Sequence, residues 1–183
     1  MLKSTTHFSI LRVHVPLLAL AFSASCSPND VMVTADGPTF TLSAEQPVAS
    51  FEVEFCAKKS ARGNTFVSGM LHIEELQSSA AETSASVLVT VDEGEEDAKE
   101  REVTATDERW SRSLEFNSTG PWDDNKRGCG RTHSVTIALV DHEPSEPIEV
   151  FWSIDMHVSS FATVKRERRG WHEDDFEIAV SAL

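Results

Sequence analysis

The sequence lacks the short motifs that identify several enzyme families. It contains neither a Gly-x-Ser-x-Gly turn nor a Ser-x-x-Lys pair, which argues against the hydrolase families that carry them. His-Glu-x-x-His and Cys-x-x-Cys are also absent, so neither a zinc metalloprotease of that type nor a zinc ribbon is predicted. Since no catalytic signature remains, we predict that the chain is not an enzyme.

Basic residues are few. The chain has 16 Lys and Arg against 30 Asp and Glu, a formal charge of −14. Lys3 and Arg12 are the only charged residues before Asp30, so the chain without its first 25 residues keeps 14 basic and 30 acidic residues, a charge of −16. Such a surface repels nucleic acid and anionic lipid, and neither is a predicted partner. A cation or a basic protein is favoured instead.

Long hydrophobic runs are also lacking. The one apolar run, residues 15–22, is shorter than the roughly 20 residues that cross a bilayer. It follows Lys3 and Arg12 and precedes the small residues 23–25, the pattern of a secretory signal. We predict a signal peptide over 1–25, a tether and first strand over 26–38, and one domain over 39–183. The protein is then exported to the periplasm, the outer membrane or the extracellular space.

The end of this leader carries one family resemblance. Ser23-Ala24-Ser25-Cys26 resembles the lipobox of bacterial lipoproteins, with Ser23 where that family usually has Leu. The resemblance covers these four residues. It implies that Cys26 is the lipidated first residue and that the only membrane contact is a lipid anchor. Ordinary signal-peptidase cleavage after Ser23 or Ser25 is the alternative.

The chain has only three cysteines. If Cys26 is lipidated or removed, Cys56 and Cys129 remain as a pair for a disulfide in an oxidising compartment. A thiolate at Cys129 with His133 as its base is the catalytic alternative. Because an exported chain would have Cys56 available as a partner for Cys129, we predict the disulfide. Cys129 stands between two glycines, so we expect the bond to hold a loop against a sheet.

Apolar and polar residues alternate through most of the chain after the leader. The clearest stretch is 148–158, where alternate residues from Ile148 to Val158 are apolar. Alternation of this length predicts a half-buried strand, and frequent turn residues separate similar short stretches. No long segment repeats every 3.6 residues. We therefore predict an antiparallel β-sandwich of about nine strands, either immunoglobulin-like or jelly-roll-like.

Two polar loops contain tryptophan, and these are the candidate ligand-binding segments. The alternative is that each tryptophan folds back to cap the end of the sandwich. A large ring beside hydrogen-bonding groups is the composition of a binding hot spot, and such a ring can also stack on a sugar. A basic run at 165–169 precedes the second tryptophan, so cation and ring could form one patch. The candidate contacts are Trp122, Asp123, Asp124, Arg166, Arg168, Trp171 and His172.

Acidic loops supply weak candidates for metal ligands. Calcium requires six to eight oxygen ligands, and the acidic turns provide carboxylates without the spacing of an EF-hand. The residues concerned are Asp92, Glu93, Asp141, His142 and Asp174. No cofactor is predicted, with calcium as the alternative.

These observations favour a non-catalytic module. We predict an exported β-sandwich, lipid-anchored if Cys26 is modified, that binds a protein or glycan at the cell envelope. One alternative is a carboxylate-dependent hydrolase of wall or extracellular polymer, assisted by calcium. Another is a structural subunit of the envelope.

Overall fold

The computed structural model describes residues 29–59, 64–78, 85–124, 126–140, 147–161 and 171–183 of the 183-residue chain. The leader and Cys26 lie outside the described residues, so the signal peptide and the lipidation stay predictions. Within the described ranges, no helix is long and apolar enough to cross a membrane.

The described residues form ten β-strands joined by turns and three short 3₁₀ helices. This confirms the predicted all-β architecture. The strands are β1 (Asn29–Asp36), β2 (Phe40–Leu42), β3 (Val48–Ala57), β4 (Asn64–Ser78), β5 (Ser86–Val91), β6 (Lys99–Thr104), β7 (Ser113–Ser118), β8 (Gly128–Leu139), β9 (Ile148–Phe161) and β10 (Phe176–Ala182).

The strands make two five-stranded antiparallel sheets. In sheet A the order is β1-β9-β4-β7, and β2 continues the edge of β1 beside β9. In sheet B the order is β10-β3-β8-β5-β6. The pairs nest along the chain: β1 and β2 with β9, β3 with β8, β4 with β7, and β5 with β6. Successive pairs alternate between the sheets, which is the winding of a jelly roll, one of the two predicted sandwich types.

The inward faces of the two sheets form one hydrophobic core. In β9 the buried apolar residues are those that the alternation predicted: Ile148, Val150, Trp152, Ile154, Met156 and Val158. They pack against residues such as Phe51 and Phe55 of sheet B. Complete burial of each such side chain stabilises the fold by about 1.5–3 kcal/mol.

A β-bulge places Cys129 on the outside of sheet B. Glu54 pairs with Thr132, but Cys56 pairs with Cys129, so β8 holds one more residue than β3 between these positions. An extra residue reverses the side to which the following side chains point. Cys129 is therefore exposed, whereas His133 is fully buried. The bulge separates the thiol from the imidazole, so the alternative Cys129–His133 pair does not form.

Cys56 and Cys129 are joined in a disulfide, as predicted. The expectation that this bond holds a loop is wrong, because both cysteines lie in neighbouring strands of sheet B. The bond does not cross the core, in agreement with the prediction. The two cysteines are 73 residues apart, and closing a loop of that length in the unfolded chain stabilises the fold by about 4 kcal/mol.

Removing this disulfide tests its contribution. We expect the Cys56→Ser/Cys129→Ser variant to keep its β-sheet circular dichroism but to lose about 2–4 kcal/mol of unfolding free energy in urea titration. The loss arises because the unfolded chain regains the freedom that the cross-link removed. An unchanged urea midpoint would show that the bond contributes nothing to stability.

A buried carboxylate fixes the turn before β10. Asp175 is buried at the end of a 3₁₀ helix, Glu173–Asp175. Its side chain forms an ion pair with Lys59 and accepts a hydrogen bond of 3.2 Å from the backbone N–H of His172. The hydrogen bond from Lys59 is the main cause that lowers the pKa of Asp175 below its ordinary value of 3.8, against the opposing effect of burial.

This lowered pKa makes stability depend on pH. The ionised Asp175 stabilises the folded state fully above pH 3.8, and that contribution is lost as the pH falls through the lower folded-state pKa. We expect the Asp175→Asn variant to be less stable than the parent at pH 5–7. The difference should shrink below pH 3.8, as measured by thermal unfolding. Asp174→Asn, an exposed change on the same turn, is the control and should keep the stability of the parent at pH 5–7.

Candidate functional site

Trp122 lies inside the protein. Its side chain is 1% exposed, so the prediction that it forms a surface contact is wrong. The ring packs closely against Gly120 and Gly130, where a Cβ atom would come within about 2.5 Å of the indole. Glycine at these two positions creates the space for the ring between β7 and β8. This tryptophan closes one end of the sandwich.

The second predicted aromatic residue lines a surface cleft. Trp171 is half-buried, and its ring meets that of Phe176 edge-on at 5.2 Å. Together with His172, Asp174 and Met32 it lines an open cleft of about 460 Å³. The structure thus brings two predicted ligand contacts, Trp171 and His172, next to β1.

The other predicted contacts are not brought into this cleft. Arg166 and Arg168 lie outside the described residues. The backbone of Asp123 and Asp124 forms a 3₁₀ helix, Pro121–Asp124. Their roles in binding stay predictions.

Among the candidate metal ligands, Asp92 has an internal role. It is buried, with Oδ1 accepting from the backbone N–H of Ser134 at 3.0 Å and Oδ2 lying 2.8 Å from the guanidinium of Arg131. Its prediction as a loop ligand is therefore wrong, because both oxygens tie the end of β5 to β8. Glu93 is exposed in the hairpin that follows.

The remaining metal candidates are not assembled in the described part of the chain. Asp141 and His142 lie outside it, and Asp174 lies at the Trp171 cleft. One group of three potential ligands occurs in the described ranges, Glu54 with Cys56 and Cys129. Those cysteines are bonded to each other, so neither offers the thiolate that binds a metal.

A buried hydrogen-bonded chain links the two sheets. His133 has no exposed surface, and its Nδ1 lies 2.7 Å from Asp92 Oδ2 while its Nε2 lies 2.8 Å from Ser118 Oγ. The ring packs between Phe55 and Phe116. A buried imidazole is stable in such a place only because both nitrogens have partners. This chain joins β5 and β8 of sheet B to β7 of sheet A.

In the part of the chain that the structure describes, three exposed apolar side chains lie among polar ones on the outer face of sheet A. Met32, Phe66 and Met70 are 58%, 60% and 36% exposed, respectively, and all lie on this face. The register of the strands aligns residues into rows that run across the sheet, and these rows contain mostly polar residues. One row is Met32, His157, Ser68 and Asn117, and the next is Thr34, Asp155, Met70 and Glu115.

His72 lies at the centre of a hydrogen-bonded group on this face. Its Nδ1 is 2.7 Å from Ser113 Oγ, and its Nε2 is 3.0 Å from Asp155 Oδ2. Thr34 donates a hydrogen bond of 2.6 Å to the other oxygen of Asp155. The side chains of His72 and Asp155 are each 20% exposed, so solvent and ligands reach them.

This group lies in an open groove of about 760 Å³, which we call the sheet A groove. Arg101 reaches it from β6, and its Nη1 donates to the carbonyl of Ser111 at 3.2 Å. Met32 lines both the groove and the Trp171 cleft, so the two adjoin. The groove lining includes Thr34, Met70, His72, Glu74, Arg101, Ser113, Glu115 and Asp155.

Part of this site could be predicted from the sequence. Alternation in β9 places Ser153, Asp155 and His157 on the polar face of one strand, as the structure shows. His72 and Ser113 belong to strands whose neighbours could not be predicted. The residues meet only because β4 lies between β9 and β7.

Comparisons with known proteins add little. No protein-family model matches the chain, and no curated protein matches it. Among solved structures, the Yersinia pseudotuberculosis-derived mitogen matches with 13% sequence identity over 80% of this chain and 96% of that chain. The TM-score is 0.26, too low to carry any argument about function.

Proposed function

We propose that this chain is an exported β-sandwich module that binds a protein partner on the outer face of sheet A. The observation that carries the proposal is the exposure of Met32, Phe66 and Met70 on one largely polar face. Single exposed apolar side chains are normal. Three of the six exposed large apolar side chains in the described residues share this face, and this concentration favours a protein-binding surface there. Methionine and aromatic residues are also enriched at such surfaces.

The charge of the groove favours a basic partner. Glu74, Glu115 and Asp155 line it together with one cationic side chain, that of Arg101. The whole chain carries a formal charge of −14, so a basic segment is also attracted over a longer range. Methionine side chains are flexible and fit varied apolar groups. These features together favour a segment with both basic and apolar residues.

Export is the part of the proposal that the disulfide supports. Disulfides persist in oxidising compartments such as the periplasm and the extracellular space, and the Cys56–Cys129 bond fits such a location. The leader and lipidation of Cys26 would place the module at the cell envelope. The acidic surface argues against nucleic acid as a partner.

A peptide-binding experiment tests this proposal. A fluorescent amphipathic Lys/Leu peptide should bind the purified protein, and Phe66→Ser should weaken binding at least about tenfold because it removes an apolar contact. Val48→Ser is the matched control, since Val48 is also an exposed apolar residue but belongs to sheet B. Fluorescence anisotropy gives the dissociation constants.

Two results would overturn the proposal. Equal weakening by Phe66→Ser and Val48→Ser would show that the peptide does not select the face of sheet A. Binding of a neutral oligosaccharide at this face, with no peptide binding, would replace the protein partner by a glycan.

A further inference from the structure

We propose that Ser113, His72 and Asp155 form a serine-dependent centre that hydrolyses carboxylic esters in the sheet A groove. This inference goes beyond binding and does not depend on the identity of the partner. The three residues form a continuous hydrogen-bonded chain with distances of 2.7 and 3.0 Å. A hydroxyl, an imidazole and a carboxylate in that order are the parts of nucleophilic catalysis by serine, which geometry defines rather than position in the sequence.

The hydrogen bonds set the role of each nitrogen in His72. Asp155 can only accept, so the Nε2 that faces it carries the proton. Nδ1 then presents its lone pair to Ser113 Oγ and can take the hydroxyl proton. Thr34 holds the other oxygen of Asp155, which fixes the carboxylate as a positioning group.

Arg101 supplies positive charge to the same groove. Its guanidinium is held by the carbonyl of Ser111, two residues before Ser113. A cation in a groove can stabilise the oxyanion that develops when a serine attacks a carbonyl. The groove thus contains a nucleophile, a base, a positioning carboxylate and a group for the developing charge.

A second hydrogen-bonded chain of the same residue types, Ser118, His133 and Asp92, lies in the core and differs from the group in the groove in its accessibility. Its distances are 2.8 and 2.7 Å, close to those in the groove. His133 has no exposed surface, so no substrate reaches it. His72, in contrast, is 20% exposed and lies in a groove of about 760 Å³. The same residue types therefore form a structural link in one place and an accessible centre in the other.

The reaction proceeds in two balanced halves. Ser113 Oγ attacks the ester carbonyl carbon while its proton passes to His72, and the bond to the alcohol oxygen breaks as that oxygen takes the proton. Water then gives a proton to His72 and attacks the acyl group, the acid leaves, and Ser113 regains its proton. Glu74 and Glu115 line the groove and repel anions, so the favoured esters are neutral or cationic.

Two probes test this centre in the folded, disulfide-bonded protein. A fluorophosphonate should form one covalent adduct, which peptide mass mapping should locate at Ser113. With p-nitrophenyl acetate, Ser113→Ala and His72→Ala should each reduce kcat/KM at least about 100-fold. Ser181→Ala is the control, because Ser181 is an exposed serine of β10 in sheet B, away from the groove.

The positioning role of Asp155 has its own test. Asp155→Asn should lower kcat with little change in KM, since the carboxylate orients the base and does not touch the ester. Asp155→Glu should restore part of the rate. If Asp155→Asn and Asp155→Glu lose the same fraction of kcat and both lose thermal stability, the carboxylate has only a structural role, which would contradict the positioning role.

Several outcomes would overturn the proposal. They are the absence of an adduct at Ser113, a rate in Ser113→Ala equal to that of the parent, and a loss of activity in Ser181→Ala equal to that in Ser113→Ala. Thermal unfolding of each variant shows whether it folds. If a variant does not fold, adduct formation at Ser113 in the unmutated protein still tests the proposal. Peptide binding is measured separately with Phe66→Ser, so failure of the catalytic proposal leaves the binding proposal standing.

Discussion

The pairing of β9 with its neighbours is the constraint on which the core and the groove both depend. Its inward residues, among them Trp152, Ile154 and Met156, are buried, whereas Asp155 and His157 belong to the outer face of sheet A. Since side chains alternate strictly along a strand, a shift of one residue would move both sets to the wrong side. Burial of the apolar set therefore fixes the position of Asp155 beside His72 and Thr34.

The nested winding explains how distant segments build one site. His72 and Asp155 are 83 residues apart, and His72 and Ser113 are 41 apart, yet they lie on three adjacent strands. Three paired strands hold the hydrogen-bonded group more rigidly than a loop would. The binding and catalytic proposals share this surface. The binding proposal rests on apolar residues such as Met32 and Phe66, and the catalytic proposal rests on the hydrogen-bonded group around His72.

The sequence predicts strands better than it predicts their neighbours. Alternation identified β9 and its buried residues, and the cysteine count identified the disulfide. The bulge that turns Cys129 outward was not visible, because it depends on the pairing of β3 with β8. Trp122 was expected at the surface because polar residues surround it, but the space beside Gly120 and Gly130 buries it. The missing motifs argue against the hydrolase families that carry them, whereas the hydrogen-bonded group of Ser113, His72 and Asp155 arises from strand pairing alone.

Cysteine labelling along β9 tests the alternation most directly. Single substitutions at Ile154, Asp155, Met156 and His157 place a thiol at four successive positions, with Cys26 replaced by serine and with Cys56 and Cys129 kept in their disulfide. Thiols at 155 and 157 should react rapidly with a water-soluble maleimide, and those at 154 and 156 should react slowly in the variants that remain folded. Equal reaction at all four positions, or fast reaction at 154 and 156, would contradict the arrangement of core and groove.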